Sequence, residues 1–468
     1  MNILMVTSEA VPFSKSGGLA DVAGALSSSL SSLGHNVTVF MPFYSFIKKD
    51  GWKKAVSYQI PMLSKNERVV VYEKEVGGVT YAGLEHPYFS ERKGIYGDTS
   101  FTPYADNCPR FMAFSKAAVL YILARGLKTD IVHCHDWTTG FVPHYLRYFK
   151  APGKCVYTIH NLEYQGVFPL LDAVLSSSVV PEEAKRKGNI NMMALALSTA
   201  EKITTVSPSY AKEILTSQYG GGLEDILKQR ESDTLGILNG IDSTEWNPAT
   251  DTLIPAVFSK NGMDGKKVCK RDIQKEFHLE ERDDVPLVAM ISRLASQKGF
   301  DPLLLEGEEC ALERILKKNV QVALIGTGDS RYISRLSSLM VDYPNLSVKI
   351  VFSQELSHRL EAGADFFLMP SVYEPCGLNQ MYSLAYGTVP IVHATGGLRD
   401  TIRDGENGIS FITLSPDDIV EAVGRALELY SDREKFDAVR REGMSEDNSW
   451  KVSAGKYEKL YTELTAKA

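Results

Sequence analysis

The first 26 residues, MNILMVTSEAVPFSKSGGLADVAGAL (1–26), decide the fold class. Ile3–Thr7 is an apolar run of strand length. Asp21–Leu33 sets Val22, Leu26, Leu30 and Leu33 on one helical stripe, with Gly34 placed to stop the helix. Between strand and helix lie Lys15 and the adjacent glycines Gly17 and Gly18. Glycines let the backbone approach a ligand and take up φ > 0 without strain. The helix N-terminus adds unpaired N–H donors and about half a positive charge, and Lys15 adds a mobile full one. Together they make an anion site suited to phosphate. A plain strand-to-helix turn with a solvent lysine accounts for the same residues. The spacing is neither G-x-G-x-x-G nor G-x-x-x-x-G-K-[ST], which removes the dinucleotide fingerprint and the P-loop NTPases.

The habit repeats. Val37–Pro42, Ile131–Cys134, Cys155–His160 and Lys202–Val206 are further strand candidates. Leu287–Ser292, Gln321–Gly326, Ser347–Phe352, Asp365–Pro370 and Val389–Thr395 follow in the second half. Strands separated by helix-length segments imply parallel sheets covered on both faces, joined by right-handed crossovers. A chain of 468 residues exceeds one core. The expectation is therefore two doubly wound α/β domains, 1–242 and 243–445, parted at LNGIDSTEWNP (238–248), where Asn239-Gly240 and Asn247-Pro248 are turn formers. Residues 446–468 read as a closing helix whose stripe of Tyr457, Leu460, Tyr461 and Leu464 must pack on something. SGGLADV (16–22) and TGGLRDT (395–401) echo one another, each after a strand and opening a helix. Duplicated sheet domains explain the echo, each offering a glycine turn where open α/β sheets bind ligands.

Net charge is −7, with no long basic run, which argues against nucleic acid and anionic membrane as partners. Any phosphate site must be local. The cysteines at 108, 134, 155, 269, 310 and 376 are scattered, and a reducing cytoplasm suits them. The N-terminus lacks a basic leader and Glu9 interrupts its apolar stretch, so it reads as a strand. No run of about 18 apolar residues is present.

SRLASQKGF (292–300) places Arg293 and Lys298 in one loop after a strand, where two cations can clamp a diphosphate. A salt-bridged surface loop is the alternative. In SVYEPCGLNQMYSLAYG (371–387), Glu374 precedes Pro375, Cys376 and Gly377, and a helical pattern follows. The residue before proline is held extended, so this carboxylate sits on a fixed loop, able to hold sugar hydroxyls and to stabilise developing positive charge. A helix-capping glutamate is the competing reading. VHCHDW (132–137) puts His133 and His135 on one strand face; two histidines without a third ligand do not make a zinc site, and no metal is expected. YTIHN (157–161) ends a strand with His160 and Asn161, a polar pair for sugar hydroxyls or a satisfied structural histidine.

Taken in order, KSGGLADV (15–22), HDW (135–137), HNLEYQG (160–166), VSPSYAKEI (206–214), NGID (239–242), SRLASQKG (292–299), SHRLEAGADFFLMPS (357–371), YEPCGLNQMY (373–382) and TGGLRDT (395–401) resemble the glycogen/starch synthase family over nearly the whole chain. The resemblance implies a GT-B fold, two Rossmann-like domains facing across a deep cleft and closing about the segment near 239–245. It implies transfer of glucose from ADP-glucose to the non-reducing end of an α-1,4-glucan, with retention and without a cofactor. By position, Arg293 and Lys298 would neutralise the leaving diphosphate, and Glu374 with Cys376, Gly377 and Leu378 would hold glucose. His160 would contact glucose and position the reacting centre, and Asn161 would bind the nucleotide-sugar. Gly17, Gly18, Thr395, Gly396, Gly397 and Leu398 would line phosphates and sugar, with Lys15 and Asp21 nearby. Phe352 would stack on adenine. Asp136, Trp137, Tyr164 and Gln165 would serve the acceptor side. Ser16 replaces the usual threonine, and Val351 stands where relatives often have glycine. Tyr382 occupies the place of a second glutamate found in many transferases of this fold. No D-x-D occurs, so protein cations replace a bridging metal. The alternatives are a UDP-glucose-dependent transferase and an inactive glucan-binding scaffold.

Overall fold

Each sheet is built around one central strand with neighbours added on both sides. In the computed structural model, which describes residues 1–63, 66–100, 102–174 and 180–466, the chain divides into two units: Met1–Asn239 with Trp450–Ala468, and Gly240–Ser449.

The strands of the first unit are β1 (Asn2–Val6), β2 (Asn36–Pro42), β3 (Lys53–Pro61), β4 (Asn66–Val76), β5 (Val79–Glu85), β6 (Ile131–His135), β7 (Lys154–Ile159), β8 (Val167–Pro169), β9 (Lys185–Arg186), β10 (Asn189–Asn191), β11 (Lys202–Thr205) and β12 (Thr234–Gly236). The main sheet runs β12-β11-β7-β6-β1-β2-β5-β4-β3. It is parallel from β12 to β5 and antiparallel through β4 and β3. A small antiparallel sheet, β8-β10-β9, stands apart. The β3–β5 extension was not anticipated, although its signal is present. Val76 and Val79 flank Gly77-Gly78, both at positive φ, a two-residue turn that sets a hairpin register.

The second unit holds β13 (Leu287–Ile291), β14 (Gln321–Ile325), β15 (Leu346–Lys349), β16 (Phe366–Met369), β17 (Val389–His393) and β18 (Ile409–Phe411). They form an all-parallel sheet in the order β15-β14-β13-β16-β17-β18. Alternate residues go to opposite faces. Val288 and Met290 join one apolar cluster and Leu287 and Ala289 another, so both faces are covered. Such an order reverses beside its first strand, here between β13 and β16, and ligands bind outside the carboxyl ends at that point. In the first unit the same reversal lies between β1 and β6.

SGGLADV and TGGLRDT do open helices, Gly18–Ser32 and Gly396–Thr401. Val22, Leu26 and Leu30 are buried, and Gly34 turns the chain at φ +90. The terminal helix Trp450–Ala466 buries Tyr457, Leu460 and Tyr461 within the first unit. Its Tyr461 hydroxyl meets His133 Nδ1 at 2.7 Å, and His133 Nε2 meets Thr158 Oγ1 at 2.6 Å. Burial pushes His133 down to about 3, so the ring is neutral and its hydrogen bonds are directional. Tyr461→Phe strands a buried ring nitrogen. It is expected to lower unfolding free energy by about 1–2 kcal/mol, read by urea denaturation with an unchanged m-value.

Candidate functional site

In the second unit the loop after β13 carries Arg293 and then a tight turn, Ser296–Lys298, closed by Gly299 at φ +78. A Cβ on Gly299 would lie 1.8 Å from the carbonyl oxygen of Pro370, at the end of β16. The two loops are therefore pressed together, and Gln297 laces them. It accepts from Arg293 Nη2 at 3.0 Å and donates to Tyr373 O at 3.3 Å, while its own carbonyl accepts from Val372 N at 2.8 Å. Lys298 Nζ then reaches Glu374 Oε2 at 2.5 Å, and Ser371 Oγ donates to the same oxygen at 3.1 Å. Glu374 is only 7% exposed.

The helix Asn379–Ala385 starts after Leu378 without a side-chain cap, so Glu374 is not a capping residue. Its carbonyl accepts from Gly397 N at 3.0 Å. A Cβ on Gly396, at φ +45, would come within 2.0 Å of that carbonyl, and one on Gly397 within 2.1 Å of Cys376 O. These two glycines are demanded by the chain's own packing. A cavity of about 320 Å³ opens at this point, lined by Arg293, Lys298, Phe352, Glu374, Gly377 and Leu378 among others. Phe352 is 87% exposed and lies beyond β15, which ends at Lys349 rather than running on to 352 as expected. The Leu398 side chain belongs to the core, leaving only its backbone for a ligand. Tyr382 stacks on Trp246 at 3.7 Å between centroids, and Trp246 stacks on His358 at 3.8 Å. The position of the missing glutamate thus clamps the 239–248 segment.

In the first unit the glycine loop is held from an unexpected side. Glu9, 2% exposed, accepts from the backbone N–H groups of Ser16 and Gly17, from Ser16 Oγ and from Tyr96 OH. The carboxylate itself fills part of the nest of donors. Gly17 has φ −155 and Gly18 begins the helix, so neither uses the left-handed region that the sequence reading invoked. A Cβ on either would meet nothing within 4 Å. Among the described residues nothing requires glycine there; open space above the backbone does not oppose a ligand. Lys15 and Asp21 pair at 2.7 Å, the lysine exposed and the aspartate half-buried.

The turn after β6 holds Asp136 at φ 55. Its Oδ1 accepts from His160 N at 2.8 Å, and His135 Nδ1 and His160 Nε2 share a hydrogen bond of 2.9 Å. Asn161 Oδ1 caps the next turn by accepting from Glu163 N at 3.0 Å. Trp137 packs edge-on to Phe111 at 4.9 Å. The Gln165 amide is engaged at both ends, donating to Gly221 O at 2.9 Å and accepting from Asn191 Nδ2 at 2.7 Å. It ties loops together, whereas Tyr164 is 54% exposed.

Residues 2–229 match the family described as starch synthase catalytic domain, and 272–442 match glycosyl transferases group 1. A curated glycogen synthase of Geotalea daltonii is 41% identical over 100% of this chain and 99% of its own length. That of Anaeromyxobacter sp. is 42% identical, with both chains fully covered. The catalytic domain of starch synthase IV from Arabidopsis thaliana superposes with a TM-score of 0.88 at 31% identity, covering 99% of each chain. The chain belongs to the glycogen/starch synthase family. It is a glucosyltransferase with the GT-B fold, which it shares at 18% identity and TM-score 0.64 with a sucrose-phosphate synthase from Thermosynechococcus elongatus. Among the described residues no helix is long and apolar enough to cross a membrane.

For a glycogen/starch synthase, the sequence reading passed over Glu9, Gln297, Ser371 and His135 as site residues. Glu9 sits seven residues before Ser16, and nothing local announces that it folds back onto that loop. Two predictions follow from the geometry. Gly17→Ala is expected to leave the unfolding free energy within about 0.5 kcal/mol of the parent's, or slightly above it, yet to weaken donor binding measured calorimetrically. Gly396→Ala should instead fail to give stable protein. The second concerns pH. Burial raises the Asp136 carboxyl from 3.8 to about 7, against the donated N–H groups, and lowers His160 from 6.5 to about 3. Between about pH 4 and 7 the unfolded chain has released the Asp136 proton that the folded site keeps, so this group makes stability fall as pH rises. His160 acts oppositely, since below 6.5 the unfolded ring takes up a proton that the folded one refuses. Asp136→Asn should therefore gain stability relative to the parent as pH rises across that window, by denaturation at matched ionic strength.

Proposed function

We propose that the chain transfers glucose from ADP-glucose to the non-reducing end of an α-1,4-glucan with retention at the anomeric carbon. One observation carries this reading. Arg293, Lys298 and Glu374 meet at the carboxyl ends of β13 and β16, around one cavity. The similar starch synthase IV domain is described as bound to ADP and acarbose, which supports an adenine nucleotide for the donor and a saccharide for the acceptor.

The hard step is departure of the nucleoside diphosphate from the anomeric carbon. Negative charge grows on the diphosphate while positive charge grows on the sugar. Pre-placed cations stabilise the first without reorganising at the moment of reaction. Arg293 offers a planar fork and Lys298 a point charge. Lys298 is already paired with Glu374, so an incoming diphosphate shares this cation with the carboxylate that faces the sugar. Glu374 holds glucose hydroxyls and favours the developing positive charge. Phe352 offers an exposed ring for the base. Thr395 and the Gly396–Leu398 backbone line the phosphates and sugar. In the first unit, Lys15, Gly17, Gly18, Asp21 and Asn161 act toward the nucleotide-sugar, His160 toward glucose, and Asp136, Trp137, Tyr164 and Gln165 on the acceptor side. A front-face path, in which the leaving phosphate takes the acceptor's proton, needs no second carboxylate, and Tyr382 supplies none.

The test is incorporation of labelled glucose into glycogen from ADP-glucose and, separately, UDP-glucose. Incorporation from ADP-glucose at the higher kcat/KM is expected. A preference for UDP-glucose overturns the donor assignment, and no incorporation from either leaves a glucan-binding scaffold. Arg293→Ala and Lys298→Ala should each lower kcat by on the order of 10²-fold, and Glu374→Ala by a similar factor. Turnover equal to the parent's at saturating donor would count against the clamp.

A further inference from the structure

We propose that His135 is a positioning residue: it fixes His160 as the tautomer protonated on Nδ1, so that His160 offers an N–H donor, rather than a bare nitrogen, to the site. His135 is fully buried at the end of β6. Its Nδ1 lies 2.9 Å from His160 Nε2, and its Nε2 is buried with no hydrogen-bond partner among the described residues. The His133 ring lies 4.2 Å away against it, and His133 has both nitrogens engaged, by Tyr461 and Thr158. No acceptor for His135 Nε2 comes from that side.

Two neutral arrangements satisfy the shared hydrogen bond. In one, His135 Nδ1–H donates to His160 Nε2. The unpartnered Nε2 of His135 is then a bare lone pair, and the proton of His160 resides on Nδ1. In the other, His160 Nε2–H donates to His135 Nδ1. The proton of His135 is then on Nε2, an N–H buried without an acceptor, and His160 presents bare Nδ1. The second arrangement strands a donor, whose lost hydration nothing replaces; orphaned buried donors are rarer than under-used acceptors. The first therefore holds. Burial keeps both rings neutral, which excludes the doubly protonated form.

HDW is thus a two-point clamp. Asp136 takes the backbone N–H of His160, and His135 takes its ring. Among the described residues no hydrogen bond reaches His160 Nδ1, and the residue is half-buried. Its N–H is suited to an uncharged oxygen, a sugar hydroxyl or ring oxygen. That choice of ligand rests on the function proposed above, whereas the tautomer does not.

The experiment is ¹⁵N spectroscopy of the full chain with labelled histidine, His160 being assigned from the spectrum of His160→Gln. The expected wild-type signature is a protonated Nδ1 and a bare Nε2 on His160 without any substrate. In His135→Leu that signature should be lost. His135→Asn, whose amide nitrogen can stand where Nδ1–H stood, should restore it. A wild-type His160 protonated on Nε2, or an unaltered signature in His135→Leu, overturns the proposal; the first needs no variant to fold. Turnover reads the other layer. With ADP-glucose and glycogen, His135→Leu is expected to lose roughly tenfold in kcat with little change in donor KM, and His135→Asn to recover most of it. The tautomer as stated together with parental kcat in His135→Leu would overturn the use of His160 in transfer and leave the tautomer assignment standing.

Discussion

The pairing of Lys298 with Glu374 is the contact on which the second unit's site depends. Their loops leave different strands, and the ion pair is largely sheltered from water. Burying such a pair is a poor source of stability, because desolvation offsets most of the Coulomb gain. What holds it is steric. The backbone crossing at Gly299 against Pro370, and the crossing of Gly396 against the Glu374 carbonyl, leave each loop one place to lie. Gln297 then joins the loops by hydrogen bonds. The charges are pre-placed by packing that has nothing to do with charge, which is the condition for electrostatic stabilisation of a transition state without reorganisation.

The two glycine loops look alike and work differently. In TGGLRDT the glycines make room for the chain itself, and the loop becomes part of the wall behind Glu374. In KSGGLADV they face open space, and the loop is fastened from beneath by Glu9, whose carboxylate already takes the N–H groups of Ser16 and Gly17. A nest of donors half filled by an internal carboxylate has less left for an external anion than the bare loop implied. What remains is Lys15, the start of the helix and the vacant space over Gly17 and Gly18. The first loop leaves open space over its backbone, and the second is a structural wedge.

Strand–helix alternation, the glycine echo and the Arg293, Lys298 and Glu374 loops were legible because each depends on local pattern: apolar period, a turn former, or cations just past a strand. The β3–β5 extension was equally local, through Gly77-Gly78, and was passed over because a parallel reading left no place for a hairpin. Glu9, Gln297 and the His135–His160 contact were not legible in the same way. Their partners are set by which strands lie side by side, and β6 beside β7 brings residues 135 and 160 together across 25 positions of chain. The φ > 0 expected at Gly17 failed for a related reason: an extended residue before a helix and a left-handed one leave the same trace in sequence.

The chemistry of the two units differs in kind. The second unit gathers full charges that pair with one another. The first gathers titratable groups and then removes their charge: burial raises Asp136 toward neutrality and lowers His133, His135 and His160. A neutral imidazole has a direction but no net charge, and the contact proposed above between His160 and a sugar hydroxyl would use that direction. A charged histidine at 160 would instead attract anions, which a neutral ring does not. Under the tautomer proposed above, His135 donates to His160, and His160 offers its Nδ1–H. The cost is a strand end, β6, that must stay dry, and the fully buried Tyr461 that the closing helix lays over His133 helps to keep it so.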